Sequence, residues 1–383
     1  MASHLDYPKD LKITKITCST VTGRSPKMIG KNSARDNHGD VGRERLVRIF
    51  TNDGHEGVGV AQKSQEELEK DEIPQLLGKN PFEFYDPDVG MRVKGLEHAM
   101  WDLVGRVLDR PVYALLGGSC REGVDIYDGT LYMCDLLYPD LGLERVRDEA
   151  WESVQMGYRA IKMKVGRGHR WMERDEGFRR DVAAIRTVRE TIGSEVRLMI
   201  DGNNGFDLKE AIRLMEEVGD SNLYWAEEMF PETVEDCRVF RGVIRGKGWE
   251  TLVADGEGHG ATEPFVPLLK AGVLDVVQAN INRTGLTEYR RLAQTAGEYG
   301  AYVAPHSWGS QFGLFVSAHL AKATPNFLSC EVTAYVFDVF LPVGFAFRDG
   351  QYFVSEVPGF GVIVNERVYH EKYRKDEMVY ELK

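Results

Sequence analysis

Apolar and polar residues change rhythm once along this chain, near Val124. Upstream, the alternation is that of half-buried strands, in which successive side chains point to opposite faces. Leu11, Ile13 and Ile16 alternate with polar neighbours over residues 11–18, and residues 46–50 read as a second strand. Asn52-Asp53-Gly54 is a hairpin signal before Gly57-Val58-Gly59-Val60. Residues 22–42, between the first two strands, read as a long polar connection that carries Arg24, Lys27, Lys31, Arg35 and His38 against Asp36 and Asp40. Residues 65–78 and 91–116 read as helices, the second with Leu96, Met100, Leu103 and Val104 on one stripe and Gly117-Gly118 at its end.

Downstream, short apolar runs alternate with helical windows. The predicted strands are 124–127, 160–165, 196–200, 223–226, 252–254, 273–278, 302–304 and 327–328. The window 174–192 puts Phe178, Val182, Ile185 and Val188 on one face and stops at Gly193. Asp207-Leu208-Lys209-Glu210 has the spacing of a capping box. Eight strands over about 210 residues fit a trimmed (β/α)8-type barrel. An open doubly wound sheet is the alternative, but no glycine-rich phosphate turn follows its first strand. The expected fold is α/β: an α+β capping domain (1–122), a (β/α)8-type barrel (123–340) and a C-terminal segment (341–383) returning to the cap.

Composition narrows the class. The 383 residues are 43% hydrophobic and 28% charged, enough for a large core, with a formal net charge of −12. That balance, with no long Lys/Arg block, argues against nucleic-acid or membrane partners. The five cysteines are scattered without CxxC spacing and read as free thiols in a reducing compartment. Met1-Ala2-Ser3-His4-Leu5-Asp6 lacks the basic start and apolar core of a signal peptide, and no run approaches the ~20 apolar residues of a membrane span. A cytoplasmic protein is expected.

The chemistry sits at the downstream ends of the predicted strands, which in a barrel converge on one face. Lys162 and Lys164 are two apart and point the same way, and each should depress the other's pKa towards that of a general base. Asp201, Glu227 and Glu257 come from three successive strands, with Glu228 and Asp255 as competing neighbours. Three carboxylates in a core need a cation, and an all-oxygen donor set suits Mg2+, with Mn2+ as the alternative. His306, in Ala304-Pro305-His306, would be structural if alone; facing a metal site it is placed to exchange protons.

These motifs resemble the enolase superfamily and, within it, the mandelate racemase-like subgroup. Residues 95–118 resemble the helix that closes the family's capping domain. Lys162-Met163-Lys164 matches the second-strand motif, Asp201-Gly202-Asn203 the third, Trp225-Ala226-Glu227-Glu228 and Ala254-Asp255-Gly256-Glu257 the next two, Pro305-His306 the seventh and Glu331 the eighth. The resemblance implies Lys164 as base, Asp201, Glu227 and Glu257 as Mg2+ ligands, and Asn203 and Glu331 near the substrate. It also implies a homo-oligomer. The sequence departs from the pattern where an aspartate that pairs with the histidine is replaced by Asn280, where a double glycine is reduced to Gly285, and where a proline is Met229. Without that carboxylate His306 should be a weaker base.

The resulting expectation is a Mg2+-dependent dehydratase of a hydroxylated carboxylic acid of the acid-sugar type. Lys164 would take the α-proton, Lys162 and Glu331 would hold the carboxylate, and His306 would protonate the leaving hydroxyl. The alternatives are a racemase or epimerase using Lys164 and His306, and a non-catalytic acid-binding barrel. Within residues 22–42, Arg24, Lys27, Lys31 or Arg35 is expected to meet the far end of the substrate.

Overall fold

Three antiparallel strands lead the chain in the computed structural model, which describes residues 6–382. They are β1 (Ile13–Ile29), β2 (Gly39–Thr51) and β3 (Glu56–Val60), paired in that order. β1 and β2 are far longer than the apolar alternation indicated, because the polar stretch 22–42 extends both: residues 22–29 continue β1 and 39–42 begin β2, leaving only 30–38 as the connection. Gly23 faces Gly42 and Arg24 faces Val41 across this outer half of the hairpin. Backbone bonds rather than apolar side chains hold this half: Arg24 exchanges both backbone bonds with Val336 at 2.9 Å.

The helix expected over 65–78 runs over residues 65–76 with a π-helical turn at Leu68–Glu72. The one expected over 91–116 is broken into Glu97–Val107 and Val112–Leu115. Asp109 adopts a left-handed φ of 51° and Pro111 follows, so the chain cannot continue helically.

Eight parallel strands then alternate with helices. They are β4 (Gly123–Leu131), β5 (Ala160–Lys164), β6 (Arg197–Asp201), β7 (Leu223–Glu227), β8 (Leu252–Asp255), β9 (Val276–Val277), β10 (Tyr302–Val303) and β11 (Cys330–Val332). Consecutive strands pair from β4 to β10, and β11 pairs back onto β4. A parallel bridge from Val303 to Phe327 carries the hydrogen-bonded circuit round to its start. The eighth strand lies three residues later than expected: Phe327 makes that bridge, but the ladder to β4 runs through Cys330, Glu331 and Val332. The helix Arg174–Ile192 matches its window, and Asp207 and Glu210 cap Leu208–Val218 reciprocally.

Inside the barrel, Tyr127, Ala160, Met199, Trp225 and Ala254 form a buried apolar layer. Side chains alternate along a strand, so the next inward positions are Lys162, Asp201 and Glu227, with Lys164 one step further. The apolar plug therefore forms the base on which the charged groups stand. The C-terminal segment first lays β12 (Gln351–Phe353) antiparallel on β4, then sends β13 (Met378–Glu381) to pair with β1. Among the described residues, no helix is long and apolar enough to cross a membrane, and the five cysteines are free.

Candidate active site

Strand ends bring the predicted residues together. One carboxylate oxygen each of Asp201, Glu227 and Glu257 lies within 4.8 Å of the others. Lys162 Nζ is 2.7 Å from Glu227 Oε1, 3.0 Å from Glu331 Oε1 and 3.4 Å from Asp201 Oδ2. Lys164 Nζ donates to Asp201 Oδ2. Glu227 Oε2 accepts from Trp225 Nε1 at 3.0 Å and Gln278 Nε2 at 2.8 Å. Glu331 Oε2 accepts the backbone N–H groups of Ser307 and Trp308, each at 2.9 Å. Above them opens a cavity of 480 Å3, to which Lys164, Asn203, Glu257, Asn280 and His306 all contribute. Glu331 lies beneath it, buried, fixing the loop that carries His306.

The charges are unbalanced. Five carboxylates, those of Asp201, Glu227, Glu228, Glu257 and Glu331, face two ammonium groups and one imidazole. Burial, aided by the nearby charges of Glu257 and Asp201, pushes Glu228 up to about 10. Burial and the like charge of Asp201 lift Glu227 to about 7. Buried without a hydrogen-bond partner among the described residues are Glu257 Oε2 and Asn203 Oδ1. An oxygen-only donor set with surplus negative charge and unpartnered oxygens fits a hard divalent cation. Asp201, Glu227 and Glu257 are the residues that could hold it.

Two electrostatic expectations are corrected. Lys162 and Lys164 do not depress each other on balance: burial lowers both, but Glu227 and Glu331 around Lys162, and Asp201 beside Lys164, hold them above the usual lysine range. Nor does Asn280 leave His306 without an acidic neighbour. The Asn280 side chain accepts from Asn282 N at 3.0 Å and caps the short helix Ile281–Thr284. His306 Nδ1 instead sits 3.0 Å from Glu331 Oε2 and 3.1 Å from Glu257 Oε2, off the line of a hydrogen bond to either. Burial disfavours the imidazolium, yet these two carboxylates outweigh it and raise His306 to about 8.

The hairpin residues divide. Arg24, expected at the substrate's far end, pairs with Asp40 at 3.1 Å and is exposed. Lys27 pairs with Glu149 at 2.6 Å beside a separate hollow. Neither lines the cavity. Lys31 pairs with Asp36 at 2.5 Å, and only Arg35 of the four borders the site. The sequence reading did not assign His38, Tyr132, Glu228, Arg283 or Trp308 to the wall, although all five line it. Glu228 follows Glu227, and strand parity would send it outwards. Its φ of 41° turns the chain, and Asn203 Nδ2 approaches Glu228 Oε2 at 3.4 Å.

Residues 145–368 match the family model described as enolase C-terminal domain-like. Among curated proteins, the D-galactonate dehydratase family member RspA of Halomonas elongata is 27% identical over 379 residues, covering 86% of this chain and 90% of that protein. A galacturonate dehydratase of a Geobacillus species, solved as a mutant with Mg, superposes with a TM-score of 0.90 at 27% identity over 100% of both chains. The same enzyme in complex with D-galacturonate and 5-keto-4-deoxy-D-galacturonate gives 0.89 at 28% identity, over 97% of this chain and 99% of that one. With the barrel, its strand-end charges and this matched domain in agreement, the chain belongs to the enolase superfamily, in its mandelate racemase-like subgroup.

Proposed function

We propose that this chain is a Mg2+-dependent dehydratase, a hydro-lyase that removes water from a sugar acid. The observation that carries the reading is a single cavity with Lys164 and His306 on its wall and the Asp201, Glu227 and Glu257 carboxylates grouped at its base. The relatives support the substrate class: besides those above, a D-xylonate dehydratase of Haloferax volcanii is 26% identical over 93% of this chain.

Lys164 takes the proton α to the carboxylate. Asp201, Glu227 and Glu257 would hold a divalent cation, which when bound would supply Lewis-acid stabilisation of the substrate carboxylate and offset the carboxylate charge beside Lys164. Lys162, bridging Glu227 and Glu331, holds positive charge beneath that carboxylate. His306, with Nδ1 3.0 Å from Glu331 Oε2 and on the cavity wall, gives its proton to the departing β-hydroxyl. Arg35, bordering the cavity with no ion pair among the described residues, meets the far end of the substrate.

Purified protein with Mg2+ should convert one or more members of a sugar-acid panel to keto acids trapped by a carbonyl reagent. Lys164→Ala should lower turnover by about 10^3-fold, the middle of the range for losing a general base. Full turnover by the variant would remove the base assignment. In D2O, deuterium at the α-carbon of unreacted substrate without loss of water would favour the racemase instead.

A further inference from the structure

The three carboxylates grouped at the base of the cavity are not held alike. Asp201 and Glu227 end β6 and β7, and their neighbours fix them. Asp201 accepts the Asn203 N–H at 2.9 Å on Oδ1 and accepts from Lys164 on Oδ2. Glu227 accepts from Lys162, Trp225 and Gln278. Glu257 lies past the end of β8, on a loop, with Gly256 and Gly258 on either side. Among the described residues its side chain receives one long bond, from Asn203 Nδ2 at 3.4 Å, and its Oε2 receives none. Where this carboxylate points is therefore set by the loop that carries it.

That loop is pinned from outside the cavity. His259 Nε2 donates to Glu232 Oε1 at 2.8 Å, joining the loop after β8 to the one after β7. His259 also closes the turn around Glu257, its backbone N–H donating to Gly256 O at 3.0 Å. Its ring meets Phe265 edge-on, with centroids 5.2 Å apart. Phe265 in turn fills the space beside Gly256, where φ is 116° and a Cβ would run into the ring. Neither His259 nor Glu232 borders the cavity, so neither reaches the substrate. Through His259 the pair grips the backbone on which Glu257 sits.

We propose that His259 and Glu232 form a clasp that positions Glu257 for Mg2+. The inference rests on Asp201, Glu227 and Glu257 as the metal-holding set, and it gives the pair no part in proton transfer. Mg2+ demands short, regular oxygen coordination, whereas Ca2+ accepts longer and less regular contacts. A loosened third carboxylate therefore penalises Mg2+ far more than Ca2+. An exposed pair of this kind adds little to global stability, and a merely stabilising contact would not separate the two ions. Nor would an effect of charge alone, since both ions carry the same charge.

Calorimetric titration of the purified, metal-stripped full chain with Mg2+ and with Ca2+ tests this without substrate. His259→Ala should raise the Kd for Mg2+ by about tenfold, the scale of losing a group that orients a metal ligand. The Kd for Ca2+ should change by less than about twofold. Glu232→Ala should do the same, and the double variant should be no worse than either, because both remove one contact. His259→Gln, whose amide nitrogen reaches the same carboxylate, should recover most of the Mg2+ affinity. An unchanged Mg2+ affinity in His259→Ala overturns the clasp, as do equal losses for the two ions or losses that add in the double variant. A parent protein that binds neither ion removes the metal assignment and the clasp together; a parent that binds Mg2+ beside variants that bind it equally well removes the clasp alone.

Discussion

Asn280 shows how a single side chain can change partners without changing place. It stands where the family resemblance expects the histidine's acidic partner, and its backbone still forms a parallel bridge with His306. Its side-chain oxygen is spent on the N-terminus of Ile281–Thr284. Asn and Asp cap helices about equally well, and alanine does not. Asn280→Ala should therefore cost about 1 kcal/mol in chemical denaturation, and Asn280→Asp close to nothing. An aspartate that costs as much as alanine would mean the carboxylate is pushed off the cap by the neighbouring acids. At this scale the sequence was legible wherever a polar residue ends an apolar run: Lys164, Asp201, Glu227 and His306 all lie at the strand ends where they were expected to meet. It was not legible for Glu228, because parity ends where φ turns positive. The lysine pKa values failed for a related reason. Sequence shows Lys162 beside Lys164 along one strand, whereas the carboxylates that dominate both come from other strands.

At the scale of elements, the β1–β2 hairpin decides whether the cavity has a roof. Its outer half rests on the segment after β11, and the opposed glycines make that approach possible. A Cβ on Gly23 would lie 2.6 Å from the Phe337 ring, and one on Gly42 would lie 2.6 Å from the Tyr335 ring. Phe337 is fully buried, so its ring has nowhere to retreat. Gly23→Ala should cost about 1–3 kcal/mol of overpacking, concentrated at this contact. The expected readouts are faster amide exchange over residues 22–42 and a raised KM with little change in kcat. Unchanged exchange there would show that the hairpin tip holds by its other anchors alone. No apolar periodicity announces this element, since it is held by backbone pairing and by the absence of side chains. Barrel strands are the opposite case: continuous apolar runs marked seven of the eight, and the eighth was misplaced because Phe327 and Leu328 are the more apolar neighbours of the true strand.

The whole molecule is sewn together where cap, barrel and tail meet, and two histidines are sealed into that seam. His319, on the barrel helix Gln311–Ala323, accepts the Tyr113 N–H at 3.2 Å through Nδ1 and donates from Nε2 to Phe360 O at 3.2 Å. His98, on the cap helix Glu97–Val107, has no hydrogen-bond partner among the described residues on either nitrogen and lies against Phe312 and Phe360. Burial lowers both to about 3. An unfolded histidine takes a proton near pH 6.5, so below that pH the unfolded chain gains protons that the folded one refuses. Above about pH 6.5 neither state is protonated and nothing is lost; as the pH falls towards 3, folding stability drains away. At pH 5 the loss is about 2 kcal/mol for each such histidine. His98→Phe removes one of the two titrations while keeping an aromatic ring against Phe312. Its stability relative to the parent should therefore improve steadily between pH 7 and pH 5, whatever constant offset the larger ring introduces. Denaturation midpoints for the two proteins across that range decide it. Parallel curves would mean that His98 is protonated in the folded state, and that the seam between cap and tail is open to water at that point.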